Sequence, residues 1–420
     1  MPKYASADHW MVEEVAWKPE AEAERVNDHI LLSRGTSSAY VVTSPDGDVI
    51  INAGTPYQGE RHRERFEKLL GRRLDVRKMV FTQSHHDVMG GWGAFNDAGA
   101  DIVVQRQFPL IRQERMMLTE FFYPRRRIVN GLNANNPAHH QSWRKPSTEF
   151  APTTLFDQSH EFMVGGRRFE LYSTPAGETL DSIHVWLPDE RTLFTGNWAG
   201  ALYGALPHFY TLRGDRDRSV PQFLRDLDQA IARKPALLLT GHGPPIVGEG
   251  RIAADFGRIR EAVAHIHDET VRGMSQGKDL YSLMREIELP AHLDMAPGRG
   301  PVRWYVRAVW EEYTGWFRHE STTEIYATPA SAIWGELAQM AGGPDALAQA
   351  AQRHVDAGRP VEALHFTDMA RAVDPKHKGV LTAELGALEQ LIAATGGRTY
   401  DELAWLEGEV ARATADLGEA

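Results

Sequence analysis

No cysteine occurs among the 420 residues of this chain. That excludes disulfides, thiolate zinc sites and cysteine nucleophiles, so any metal must be held by His, Asp, Glu or amide oxygen. No apolar run reaches the roughly 18 residues a membrane span needs. The N-terminus (MPKYASADHWMVEEVAWKPEAEAE) lacks a basic segment followed by an apolar one, so no signal peptide is expected. Positive charge is not in excess either. Lys and Arg number 46 against 57 Asp and Glu, and the net charge of −11 is interspersed, which argues against a nucleic-acid partner. Low-complexity segments are also absent. A cytoplasmic location is the default expectation.

What is present is an ordinary globular composition, 42% hydrophobic and 25% charged, over a length comfortable for two domains. From about Ile30 to Ile252 strands, turns and helices alternate. HILLSRGTSSAYVVTSPDGDVIINAG reads as three short strands, residues 58 to 71 as a helix, and DVRKMVFTQ as strand. RRFELYST, IHVWLPD and RTLFTG have strand alternation; FLRDLDQAIARK has helical period; PALLLTGHG is a short apolar strand ending at His242. This interleaving predicts a layered α/β or α+β domain. After Gly250 helices dominate, and PDALAQAAQRHVDAGRP with VEALHFTDMARAVDP reads as a helical hairpin of about tetratricopeptide size. The unpatterned stretch IELPAHLDMAPGRGP suggests a division into 1–290 and an α-helical 291–420.

Four strand-like runs stop at turns bearing polar, metal-competent side chains. They are Gln83-Ser84-His85-His86-Asp87, Thr174-Pro175-Ala176-Gly177-Glu178, Thr195-Gly196-Asn197 and Gly241-His242-Gly243. Loops at the ends of strands in one layer can converge on a common edge.

In order and wording these clusters resemble the metallo-β-lactamase superfamily. VFTQSHHDVMGG resembles its Thr-His-x-His-x-Asp-His-x-Gly-Gly signature, STPAGETLDSIHVWLPDERTLFTGN its Thr-Pro-Gly-His-Thr…Phe-Thr-Gly-Asp stretch, and LLTGHGPP its closing Gly-His-Gly. INAGT matches the early Asp-x-Gly-Thr turn, with Asn52 at the aspartate. Glu178, HFYTLRG, EEYTGWF and MAGGPDALAQAAQRHVDAGRPVEAL are further similar to the alkylsulfatase branch and the opening of its dimerisation domain. The resemblance covers roughly residues 28 to 395 and implies an αββα sandwich followed by an α-helical dimerisation domain, hence a homodimer. The sterol-carrier-like C-terminal domain and secretion signal usual in that branch are not recognised here.

Carried over by position, the resemblance gives the first metal Gln83, His85 and Glu178. The second would see Asp87, Val88 and His242, with Asn197 in place of the bridging carboxylate. Val88 cannot ligate, and Gln83 and Asn197 offer neutral amide oxygens, which suit hard cations better than zinc. Asp87 and Glu178 supply two negative charges, few for two divalent ions. One ion is therefore expected over two, held by His85, His242 and one or both of Asp87 and Glu178, with zinc the family's choice and manganese or iron open. Each residue has a structural alternative. His85, Asp87 and His242 could be a hydrogen-bonded relic, Glu178 a carboxylate paired with an arginine, Gln83 and Asn197 supporting hydrogen-bonders. His86 reads as a turn histidine, and His208 as either a pocket or an exposed loop residue.

For substrate, Arg213 takes the place of the arginine that faces sulfate in the alkylsulfatases, its planar fork suiting a tetrahedral oxyanion. The alternative is an ion pair with Asp215 or Asp217. QRQFPLIRQERMMLTEFFYPRRRIVNG resembles the loop of the alkylsulfatase cleft, mixing Phe108, Leu110, Met116, Met117, Phe121 and Phe122 with Arg112, Arg115, Arg125, Arg126 and Arg127. An anionic amphipathic small molecule fits that lining; a packed helix with a basic edge is the alternative. The expectation is a metal-dependent hydrolase of a sulfate ester or related ester or lactone. Asp87 or Glu178 would handle a water proton and Arg213 the leaving charge. A redox or lyase enzyme on the same scaffold and a non-catalytic dimeric relative are the alternatives.

Overall fold

The computed structural model describes residues 9–11, 18–97, 99–129, 150–198, 203–212, 214 and 218–419. They fall into two compact units, one running from Trp10 to Trp310, the other from Glu311 onward and joined by His9.

The first unit holds two sheets. β1 (Glu24–Arg25), β2 (Ile30–Ser33), β3 (Ala39–Ser44), β4 (Gly47–Ile51), β5 (Val76–Val80), β6 (Asp101–Gln105) and β7 (Thr154–Phe156) lie in chain order in a seven-stranded sheet. β1 to β4 pair antiparallel, then β4 to β7 parallel. The second sheet holds β8 (Ser159–Val164), β9 (Arg167–Ser173), β10 (Ile183–Leu187), β11 (Thr192–Gly196), β12 (Leu237–Thr240) and β13 (Ile246–Val247). Its order is β13-β12-β11-β10-β9-β8, with β11 and β12 parallel. β4 and β10 are buried at every position, as expected of strands covered on both faces.

Three apolar layers follow. Val49, Ile51, Val80 and Val103 of the first sheet meet Phe169, Leu171, Val185 and Phe194 of the second. On the first sheet's outer face Val41, Ile50 and Met79 pack with Phe66, from the helix Gly59–Leu70, and Phe108, which opens the helix Phe108–Met117. On the second sheet's outer face Trp186, Leu193 and Leu238 pack with the helices Val220–Ala232 and Glu249–Ser275. The helix Val220–Ala232 starts where its sequence says. The Ser219 side chain accepts from Gln222 N, Pro221 sits in the first turn, and Val220, Phe223, Leu227 and Ala230 make one buried stripe. The result is the αββα sandwich that the resemblance implied.

The stretch near residue 290 belongs to this core. Leu293 and Met295 are buried in it, Leu206 N donates to Ala296 O at 3.0 Å, and the helix Val302–Thr314 adds Tyr305, Val306 and Val309. By packing, the first unit thus ends at Trp310, beyond the composition change near 290. The second unit is helical. Gly343–Asp356 and Pro360–Arg371 form the expected hairpin, with small Ala351, Ala363, Ala383 and Ala387 allowing close approach to Lys378–Thr395. Tyr400–Gly418 is tied in by Arg371, which pairs with Glu384 at 2.7 Å and with Asp416.

Candidate active site

The ends of β4, β5, β11 and β12 and the β9–β10 turn are bonded to one another. Asn52, which follows β4 in a left-handed conformation (φ 59°), accepts through Oδ1 from Thr82 N at 2.9 Å and Thr82 Oγ1 at 3.2 Å. Asparagine tolerates that conformation better than most residues. Ile183 N donates to Thr82 O at 2.9 Å, joining the β9–β10 turn to the end of β5. Gly196 has φ +56°, and a Cβ there would lie 2.2 Å from Thr82 Oγ1. Tyr40 OH donates to Thr240 O at 2.6 Å and Ser38 N to Gly241 O at 2.7 Å, holding the end of β12. The scaffold is fixed before any functional side chain is considered.

Two polar groups sit on it. In the first, the Gln83 amide lies 2.5 Å from His85 Nδ1, and the same nitrogen is 3.3 Å from Glu178 Oε1. Arg218 Nη2 lies 2.9 Å from that carboxylate oxygen, and its side chain is 2% exposed. Arg218 Nη1 also donates to the His208 carbonyl, and Ser219 N to Ala176 O at 2.8 Å, so the guanidinium is held from both sides. In the second, Asn197 Nδ2 donates to Asp87 Oδ2 at 3.1 Å, and His242 Nε2 is 4.0 Å from the same oxygen. Asn197 Oδ1 lies where a Cβ on residue 241 would be, 1.7 Å from it, so Gly241 makes room for the amide.

The electrostatics follow from burial and neighbours. Burial pushes the Asp87 carboxyl up, but His85, His242 and the Asn197 amide outweigh it and hold the group below its usual range. Burial pushes His242 down, against Asp87, so its imidazole is neutral near pH 7. Asp181 is buried and raised by that burial, with the Thr179 and Ser84 hydroxyls and the charge of Arg115 opposing. Neither of its carboxylate oxygens has a partner in good hydrogen-bond geometry.

Gln83, His85 and Glu178 are therefore together, as are Asp87, Asn197 and His242. His208 is buried and touches the site through its carbonyl. Arg115, on the helix Phe108–Met117, acts on Asp181. His86 starts the short helix His86–Met89, half-buried, while Val88 is fully buried. Arg213 lies outside the described residues, as do the side chains of Arg126 and Arg127. Two residues were missed by sequence reasoning. Asp181 carried no signal beyond its place in the β9–β10 turn. Arg218 directly precedes a Ser-Val-Pro helix start, a signal for the helix and not for the site.

With this geometry the comparisons with known proteins agree. Residues 32–242, half of the chain, match the family described as the metallo-beta-lactamase superfamily. The chain belongs to that superfamily. Residues 281–400 match the alkyl sulfatase dimerisation family. A linear primary-alkylsulfatase of a Pseudomonas species is 26% identical over 338 residues, covering 74% of this chain and 62% of that protein. An alkyl/aryl-sulfatase of Saccharomyces cerevisiae is 24% identical over 252 residues, covering 58% of this chain and 38% of that protein. The chain thus spans less than two thirds of the length of either relative. Among solved structures, the stereoselective inverting sec-alkylsulfatase Pisa1 from Pseudomonas sp. shares the fold. The TM-score is 0.78 at 19% identity, over 94% of this chain and 66% of that one.

Members of the superfamily generally use divalent metal ions, typically zinc. The donors of this chain do not fit such ions. Among the described residues no three His, Asp or Glu side chains gather in a way that could hold one. The groups are instead engaged with protein partners, His85 with Gln83 and Glu178, and Glu178 with the arginine that was the alternative for it. The carboxylate of Asp87 faces an amide N–H.

Proposed function

We propose that this chain is a hydrolase of the alkylsulfatase type, acting on a sulfate ester or related ester of an anionic amphipathic small molecule. The observation that carries the reading is the succession of the two family matches, 32–242 and 281–400, on one sandwich-plus-helices chain. At the site the reading rests on Asp87 and His242. A neutral imidazole next to a carboxylate held ionised can take the proton of an attacking water, with Asp87 steadying the imidazolium. The spacing of 4.0 Å is looser than a hydrogen bond, as is common without substrate. Arg213, from its family position, would meet the sulfate, and Arg115 and His208 would border the bound molecule. The exposed Leu110, Met117 and Phe121 on the helices Phe108–Met117 and Thr119–Val129 suit its apolar part. Zinc, manganese or iron as a single ion is not carried into this reading, because the donor set does not fit one.

The test is sulfate release from a panel of primary and secondary alkyl sulfates, with ester hydrolysis in parallel. Wild type should turn over at least one, and Asp87→Asn and His242→Ala should each lower kcat by about 100-fold or more. One observation favours a second reading, a non-catalytic dimeric relative: Glu178 is engaged by Arg218 inside the site. A wild type inert on the whole panel would select it. Pairing of two copies is part of either reading, supported by the dimerisation-family match and the exposed Trp316, Tyr326 and Met340 of the second unit.

A further inference from the structure

We propose that Arg218 replaces the superfamily's first metal ion, making the Gln83–His85–Glu178 cluster a metal-free centre with a built-in cation. The inference goes beyond the hydrolase reading and holds whether or not the chain cleaves an ester. In the family the Glu178 carboxylate faces an ion; here its Oε1 is 2.9 Å from Arg218 Nη2 and 3.3 Å from His85 Nδ1, with both charged side chains nearly fully buried. A buried carboxylate that stays ionised needs positive charge beside it, and a guanidinium supplies a permanent one that no chelator removes.

The cation is built in and not a chance surface contact. Its second nitrogen donates to the His208 carbonyl, and the next residue is tied to the Glu178 turn by Ser219 N to Ala176 O at 2.8 Å. Ser219 then caps the helix Val220–Ala232, so the helix start fixes where Arg218 stands. The ligand changes agree with it. Gln83 in place of a histidine removes a nitrogen donor from the first ion's position, and its amide lies against the remaining imidazole. Val88 removes a donor from the second, and Asn197 turns an N–H toward Asp87, satisfying a carboxylate that a metal would otherwise balance. A divalent ion entering beside Glu178 would meet the fixed positive charge of Arg218 at short range.

The experiment compares untagged wild type, Arg218→Met and Arg218→Met/Glu178→Gln, each purified after growth with added zinc and manganese. Metal content is read by elemental mass spectrometry, and melting with and without EDTA. Wild type should carry fewer than about 0.1 equivalents of any divalent metal and melt at the same temperature with chelator. Arg218→Met, with Glu178 deprived of its guanidinium, should melt roughly 10 °C lower, and the double variant should recover most of that loss. If Arg218→Met fails to fold, folding of the double variant still supports the pairing, and its failure overturns it. Close to one or two equivalents of metal in wild type, lost with EDTA together with stability, would overturn the proposal. So would an Arg218→Met variant as stable as wild type.

Discussion

Asp226 shows how a single side chain can set a pH dependence. It is buried on the helix Val220–Ala232, with one carboxylate oxygen accepting from Gln222 Nε2 at 2.8 Å and the other unsatisfied. Burial pushes its pKa up from 3.8 to about 7. The native state therefore keeps a proton that the unfolded chain gives up near pH 4. Stability from this group is fully present below that pH and is lost as pH rises through about 7. Asp226→Asn should be more stable than wild type at pH 8 by on the order of 2–4 kcal/mol, and equal to it near pH 4. Urea denaturation at both values checks this; an advantage largest at the acidic end would refute it. At this same scale the site was only partly legible. His85, Asp87, Glu178 and His242 stand out because charged or imidazole side chains at strand ends are conspicuous. Arg218 does not, because its partner is remote in sequence and arginines before a helix cap are ordinary surface residues.

Among the elements, the turns after β5, β11 and β12 do most to position the site, and small residues make that possible. Gly241→Ala would drive a methyl into Asn197 Oδ1, so the amide must leave Asp87. The substitution should cost about 1–3 kcal/mol alone and much less when Asn197→Ala is already present. Thermal melts of the four-member cycle check the coupling; additive losses would mean that the amide does not occupy that space. The strands themselves were readable in sequence. β4, β5 and β12 are short strand-like runs stopped by Asn-Ala-Gly, Gln-Ser-His and Gly-His-Gly, and each ends within a few residues of those stops. The stretch near residue 290 was less readable. Leu293 and Met295 are buried singly within irregular chain, and isolated apolar residues give no period to read.

For the whole molecule, the second unit leaves much apolar surface uncovered. Trp316 is 72% exposed, Tyr326 67% and Met340 83%. Exposed large apolar groups gathered in one stretch mark an interaction site, and the dimerisation-family match suggests a second copy as the occupant. Light scattering should give the mass of two chains, and Trp316→Ser/Met340→Ser should shift it toward one; a monomeric wild type would refute this. No helix among the described residues is long and apolar enough to cross a membrane.

The buried Arg218–Glu178 pair also constrains how such a site can change over generations. Losing Arg218 first strands a carboxylate in the interior, whereas placing a histidine at Gln83 first brings an ion up against a resident guanidinium. Neither change is favourable until the other has occurred. The exchange therefore works as a ratchet, readily kept in its present position and reversed only by two substitutions arriving together.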